Sequence, residues 1–397
     1  MKNHDPSRRE FIKTSVGAAL GAASASAGIT PWSPLPAGVA GPVSTPSSGT
    51  EGHVVGIARV MNGDVGRAVE EAIDLLGGIG PATAGKERIM LKPNLVGPDP
   101  RCTTKPVVVE TLARLMKGAG KEVLVGEGSG GAPGFNLLDG ETYRTINREI
   151  LDPMQKYVFD TLGYTELARS LDLPLVNLHS GEMAEVPLPS GFVFDELTVH
   201  RSLTEVDLLC SVPMMKTHML ATVTLSMKNL IGVYPGTVYY SARTWLHDRA
   251  AEAGSPGIAY EIVDMVRANR MGLVVIDAST AMEGNGPLEG SIVPMNLIIA
   301  GTSPLAADMV GATVMGFDAA EIPTFQVAQQ VGLGPASLEE IEIRGVGLQD
   351  ARRPVVPPTV IPWTSISGVY GVKVLGSRSP SGRTTCPFNR LADPRMG

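Results

Sequence analysis

The run "RIMLKPN" (88–94) leads through a short polar link to "KPVVVETLARLMKGAG" (105–120) and then to "EVLVGEG" (122–128). The first and last pieces are short, apolar and closed by Pro or Gly, which reads as buried strand. The middle piece has the helical period and closes on Gly and Lys, as a helix carboxyl end does. Strand, helix, strand in this order predicts an α/β fold.

The pattern repeats outward. "VDLLCSVP" (206–213), "GLVVIDA" (272–278) and "NLIIAGT" (296–302) read as further strands, whereas "DVGRAVEEAIDLLGGI" (64–79), "GIAYEIVDMVRANR" (257–270) and "SPLAADMVGATVMG" (303–316) read as helices. The expected architecture is a mainly parallel sheet with helices on both faces. Region 134–205 is less regular, and "EVPLPSGFVFDELTVHRSL" in it reads as an antiparallel insertion or small subdomain.

The ends of the chain differ from this body. "SRREFIKTSVGAALGAASASAG" places Arg8-Arg9 before Phe11 and Lys13, then an Ala/Gly/Ser-rich apolar run ending in Ala25-Ser26-Ala27. Charge, apolar run and small-residue cleavage site in that order predict a twin-arginine export signal over 1–27. The expected destination is the periplasm or outside, and the expected partner is the twin-arginine machinery. The run is too short and polar for a membrane span, so none is expected in the mature chain. Residues 28–53 read as a Pro/Ser/Gly-rich linker, 54–348 as the α/β domain, and 349–397 as an irregular Pro/Arg-rich tail. Losing 1–27 removes four basic and two acidic side chains and moves the formal charge from −7 to −9. An acidic chain with 5% aromatics and no basic block is not built for nucleic acid. Cys102, Cys210 and Cys386 are scattered with no CxxC pair, so no cysteine-ligated iron–sulfur cluster is expected.

Polar residues begin where the strands end. Lys92 and Asn94 follow the first strand, Glu127 the second, Lys216 and His218 the third, and Asp277, Glu283 and Asn285 the fourth; the fifth runs on to Asp308. In open α/β sheets ligands sit beyond the carboxyl ends of the strands, so five such clusters predict one crevice. Pro213 ends its strand, and Lys216 and His218, two apart in an extended segment, point the same way. Lys228 and Asn229 return to the crevice after an apolar passage.

Lys216, His218 and Lys228 are therefore candidate catalytic residues. Lysines there can hold an anion or, desolvated, act as base or nucleophile. Lys92, Asn94, Glu127, Asn229 and Asn285 are candidates for binding the substrate, a small anion. A divalent metal held by His218, His247, Asp277, Glu283 and Asp308 is a further candidate, since imidazole and carboxylate suit Zn, Mn or Fe. The bland alternatives stay open. Lys92 and Lys228 could bond loop carbonyls, Asn94 and Asn229 could fix turns, and Asp277 and Asp308 could order loops. "GEGSGG" lacks the spacing and lysine of a P-loop, and no GxSxG or HExxH is present.

Five ordered stretches, "LKPNLV", "VPMMKTH", "MKNLIGV", "MEGNGP" and "AGTSPLAADMVGATVMG", give the chain a resemblance to the bacterial and archaeal domain of unknown function 362 across roughly 54–335. The resemblance implies that Lys92, Asn94, Lys216, His218, Lys228, Asn229, Glu283, Asn285, Gly286 and Asp308 are the family's signature positions. It implies no reaction. Some relatives carry ferredoxin-like cysteine runs, from which this sequence departs. The leading expectation is an exported enzyme acting on a small anion by acid–base or metal-assisted chemistry. The alternatives are a periplasmic binding or carrier protein using the same crevice without turnover, and a purely structural ion network.

Overall fold

A computed structural model describes residues 53–138, 141–359 and 373–374. The export signal, most of the linker and most of the tail lie outside the described residues. The ten strands of the main sheet are β1 His53–Arg59, β2 Arg88–Pro93, β3 Glu122–Glu127, β4 Leu175–Asn177, β5 Leu208–Val212, β6 Met214–His218, β7 Thr222–Thr224, β8 Met271–Glu283, β9 Ser291–Gly301 and β10 Ile341–Gly345. Eight of them lie in the order β10-β1-β9-β8-β5-β2-β3-β4. β6 pairs with the far half of β8, and β7 pairs with β6.

Six of the nine pairings in this sheet are parallel, including the central run β8-β5-β2-β3-β4. The three antiparallel ones join β1 to β9, β9 to β8, and β6 to β7. Small antiparallel pairs lie outside it, Met183–Pro187 with Glu196–His200 and Leu137–Leu138 with Glu141–Arg144. The fold is thus α/β on a mainly parallel sheet, and the antiparallel pairing expected within 185–203 is present, starting at Met183.

Alternate strand residues feed two cores, as the twofold period of a strand requires. Leu273 and Val275 of β8 join one, Val274 and Ile276 the other. On the first face pack α1 Val65–Asp74, α2 Pro106–Gly118, α3 Arg148–Thr161 and α4 Tyr164–Leu171. On the second lie α5 Thr244–Glu252, α6 Ala259–Ala268, α7 Pro304–Val314 and α8 Pro323–Gln330.

Three expectations need correction. The region 134–205 holds two full helices, α3 and α4, the first carrying Pro153 inside it. Pro153 falls in the second turn, where its missing N–H forgoes the helical bond to the Glu149 carbonyl, and the helix is held there by Leu151, Met154 and Val158 packed into the first core. The segment after Pro213 is extended as expected, but it does not leave the sheet: it forms strand β6, because β8 runs on past β5 and offers a second edge, with Met214 opposite Asp277 and Lys216 opposite Met282. The fifth strand, β9, runs against its neighbours, so Gly301 lies opposite Val274 and its carboxyl end is at the other edge of the sheet. Asp308 reaches the β6–β7 region only because α7 turns back after that strand.

Candidate functional site

The residues named from the strand ends separate into three groups. In the first, Lys92 at the end of β2 is buried and donates to Glu127 Oε2 at 2.8 Å, to the Pro93 carbonyl at 2.8 Å and to Asn229 Oδ1 at 3.0 Å. The Glu127 carboxylate, equally buried, also accepts from the backbone N–H of Leu95 and of Gly128, both at 2.8 Å. Asn229 donates to the Lys92 carbonyl and to Ser211 Oγ, and Asn94 donates to Asn229 Oδ1. Three ammonium hydrogens therefore have three acceptors, which is what a buried cation requires. Burial lowers the Lys92 pKa and the Glu127 charge resists that fall. Gly232 is needed against this network, because a Cβ there would fall on Glu127 Oε1 and within 2.7 Å of Lys92 Nζ.

The second group lies on one face of the β6–β7 hairpin. Lys216 sits opposite Thr224 and His218 opposite Thr222, so these side chains share a face. Lys216 is 0% exposed. Among the described residues its ammonium group has one hydrogen-bond partner, the Cys102 carbonyl at 2.9 Å, and no carboxylate within bonding distance. Burial brings its pKa down to about 8. Thr224 Oγ1 beside it is buried without a partner.

Lys228 opens the 3-10 turn Lys228–Val233 and makes no hydrogen bond among the described residues. Burial, then the charges of Lys216, Lys92 and Arg243, bring its pKa to about 7 against the pull of Glu261. His218 is held well below the ordinary imidazole range, first by burial and then by Lys228, His247 and Lys216. It is therefore neutral at pH 7. Its Nδ1 accepts from the Leu220 backbone N–H at 3.1 Å.

In the third group only Asp308 adjoins the others, beside Lys228. Asp277 is tied to the amino end of α2: it accepts from the Lys105 N–H at 3.0 Å and from Ser279 N and Oγ. Glu283 and Asn285 hold the backbone of the chain after α8, accepting from Val356 N–H at 2.9 Å and Thr359 N–H at 3.0 Å. Asp308 accepts from Ser226 N–H at 2.7 Å and Met227 N–H at 2.9 Å. It thereby fixes the turn that presents Lys228, and burial raises its carboxyl to about 7.

The structure does not bring together the metal set expected from His218, His247, Asp277, Glu283 and Asp308. Its carboxylates are each spent on separate backbone amides, and no three His, Cys, Asp or Glu side chains converge for a metal among the described residues. Asn285 likewise serves the tail rather than the cluster of lysines.

Two residues that sequence reasoning passed over complete the site. Glu261 of α6 is fully buried and bonds His247 Nδ1 through Oε1, while its Oε2 has no partner. Its signal was available, since Glu261 sits on the apolar stripe Ile258, Ile262, Met265 of an amphipathic helix, where a carboxylate is rarely left. Arg243 is 1% exposed and donates to the carbonyls of Gly128, Ser129 and Tyr234. It lies in a segment where Tyr240, Ala242 and Arg243 all have positive φ, a conformation rare for such residues. Nothing in "YYSAR" marks that turn, because the backbone is held by tertiary bonds from Ser241 N–H to Thr145 O and Ala242 N–H to Gly130 O.

The space beside Lys228 is small. A cavity of about 10 Å3 is lined by Lys228, Asp308, Val223, Leu225, Thr324 and Phe325, room for about one water. The site is thus a cluster of bases in which Lys216 is buried and Lys228 half-buried, both short of anionic partners among the described residues. Such a cluster can receive an anion, and its neutral groups can accept or donate protons.

A curated relative, a thylakoid-associated protein of Synechocystis, is 29% identical over 272 residues, covering 67% of this chain and 75% of its own length. Among solved structures the chain is similar to the lactate racemase apoprotein of Thermoanaerobacterium thermosaccharolyticum at 14% identity and a TM-score of 0.40, covering 66% of this chain and 57% of that one. It is also similar to a Thermotoga maritima protein at 16% identity and a TM-score of 0.38, covering 67% and 59%. The chain spans less than two thirds of either of these solved chains. The family model described as "Domain of unknown function (DUF362)" matches residues 89–313, more than half of the chain and all of the residues in the first two groups above, and the protein belongs to that family.

Proposed function

We propose that this protein is an enzyme that binds a small anion at Lys216 and Lys228 and works on it by acid–base chemistry. The observation that carries the reading is the Lys216 ammonium group, fully buried with one carbonyl for a partner. A buried cation left in this state costs free energy that a purely structural role would not justify. The contrast lies nearby, where Lys92 has its carboxylate and every hydrogen is used. Lys92, Glu127 and Asn229 are the frame in this reading, and Lys216 and Lys228 receive the ligand.

The test is thermal unfolding of the full chain with increasing acetate, malonate or inorganic phosphate. At least one probe should raise Tm in the wild type by mass action and leave Lys216→Met unmoved. The same variant, freed of a buried cation, should be more stable than the wild type without ligand, by about 1 kcal/mol. If no probe stabilises the wild type and Lys216→Met loses stability instead, the lysine is structural and the reading fails. Stabilisation with no product from any bound probe would favour a carrier over an enzyme.

The reading also places the protein outside the cytoplasm, exported through Arg8-Arg9 and the apolar run to Ala27. Arg8→Lys with Arg9→Lys should leave the full-length chain in the cytoplasm. Export of that double variant at the wild-type rate would remove the twin-arginine route.

A further inference from the structure

We infer that the two buried imidazoles of the site hold opposite tautomers, so that His247, positioned by Glu261, is its proton acceptor and His218 a neutral hydrogen-bond donor. The inference rests on the anion-binding reading for its substrate and on two hydrogen bonds for its geometry. A backbone N–H can only donate, so His218 Nδ1, which takes the Leu220 N–H, is an acceptor and its proton is on Nε2. A carboxylate can only accept, so His247 Nδ1, bonded to Glu261 Oε1, carries the proton and leaves the lone pair on Nε2. Neither Nε2 has a hydrogen-bond partner among the described residues, so both are free to meet a ligand. The His218 ring lies within electrostatic reach of both His247 and Lys228.

The two rings are not interchangeable in chemistry. When His247 Nε2 takes a proton from the bound anion, the imidazolium that forms faces the Glu261 carboxylate. That charge stabilises it, as the carboxylate of a catalytic triad does for its histidine. The electron pair left behind stays on the substrate, and the oxygen that gains charge can accept from His218 Nε2–H. His218 cannot replace His247 as base, because protonating its Nδ1 would break the bond to Leu220 and place a cation among Lys216 and Lys228. Burial and those same charges keep it neutral, which suits a donor whose task is to polarise. Glu261 touches no substrate in this scheme. It is a positioning residue, and its charge also acts on Lys228.

Long-range proton–nitrogen correlation spectra of the full chain, with ring-labelled histidine at neutral pH, read the tautomers directly. Single His218→Gln and His247→Gln variants assign the signals. The expected result is His247 as the Nδ1–H form and His218 as the Nε2–H form. In Glu261→Gln an amide can offer its NH2 to Nδ1, so the His247 signal should move toward the Nε2–H form while His218 stays. A wild-type His247 in the Nε2–H form would mean that Glu261 carries the proton, and a His218 in the Nδ1–H form would remove the donor; either overturns the assignment. These spectra need no anion. Correct tautomers with no stabilisation by acetate, malonate or phosphate would fail the binding reading alone, and the reverse would fail the assignment alone.

Discussion

Lys92 and Lys216 are both buried lysines at strand positions, and their surroundings give them opposite roles. Lys92 is neutralised by Glu127 at 2.8 Å, so Glu127→Gln would leave a buried ammonium group among neutral acceptors. Breaking one side of a buried pair costs about 3–5 kcal/mol, and Glu127→Gln is expected to lose that much in urea unfolding. Lys216 has no such partner to lose. The sequence marked both lysines equally, because a lysine after an apolar run looks the same whether or not a carboxylate waits beside it. What distinguishes them is Glu127, 35 residues from Lys92 in the chain and brought to it by the parallel pairing of β2 with β3. Glu261 escaped notice for the converse reason. It sits inside a helix, away from the strand ends where ligands of open α/β sheets gather.

Among the elements, α7 and the β6–β7 hairpin depend on one another through Asp308. Its two oxygens take the amides of Ser226 and Met227, just before the turn that carries Lys228. Asp308→Asn keeps one acceptor but turns an amide NH2 toward a backbone N–H. Leaving a buried donor unsatisfied costs about 1–3 kcal/mol, and faster amide exchange at Ser226 and Met227 would register it. Most elements were legible from period and punctuation: the strands at 88, 122 and 208 and the helices at 65, 106, 259 and 304 start within two residues of expectation. The direction of β9 was not legible, since an apolar run reads alike in a parallel or antiparallel strand. Nor was β6, whose Pro213 argues for an ending; that strand exists because the far half of β8 supplies an edge, a fact of tertiary structure alone.

At the scale of the whole molecule the buried titrating groups predict an uncommon dependence on pH. Asp308 is raised from 3.8 to about 7, so the folded state binds more protons than the unfolded one between these values. Its contribution is present in acid and is lost as pH rises toward 7. Lys216 and Lys228 are lowered from 10.5 to about 8 and about 7, so above neutrality the unfolded state binds more protons. Their effect is a gain in stability as pH climbs from about 7 toward 10.5. Below neutrality His218 and His179, both held well under the ordinary imidazole range, work against Asp308, because they lose stability as pH falls. The alkaline rise has no such opponent among these groups, so unfolding midpoints measured from pH 7 to about 10 should climb, and Lys216→Met should flatten the climb. A flat alkaline profile in the wild type would show that the lysines find anionic partners in the free protein.

The position of β1 has a consequence for how the chain is made. Its neighbours are β9 and β10, which begin at Ser291 and Ile341. The first strand among the described residues to leave the ribosome therefore waits for partners roughly 230 residues downstream, some 10 to 50 s at about 5–20 residues per second. Through that interval its apolar stretch Val54–Ala58 has no sheet to join, and a holding chaperone would have a defined segment to grip. Closure of the sheet around β1 is thus a late event in biogenesis, completed only when nearly all of the domain has been synthesised.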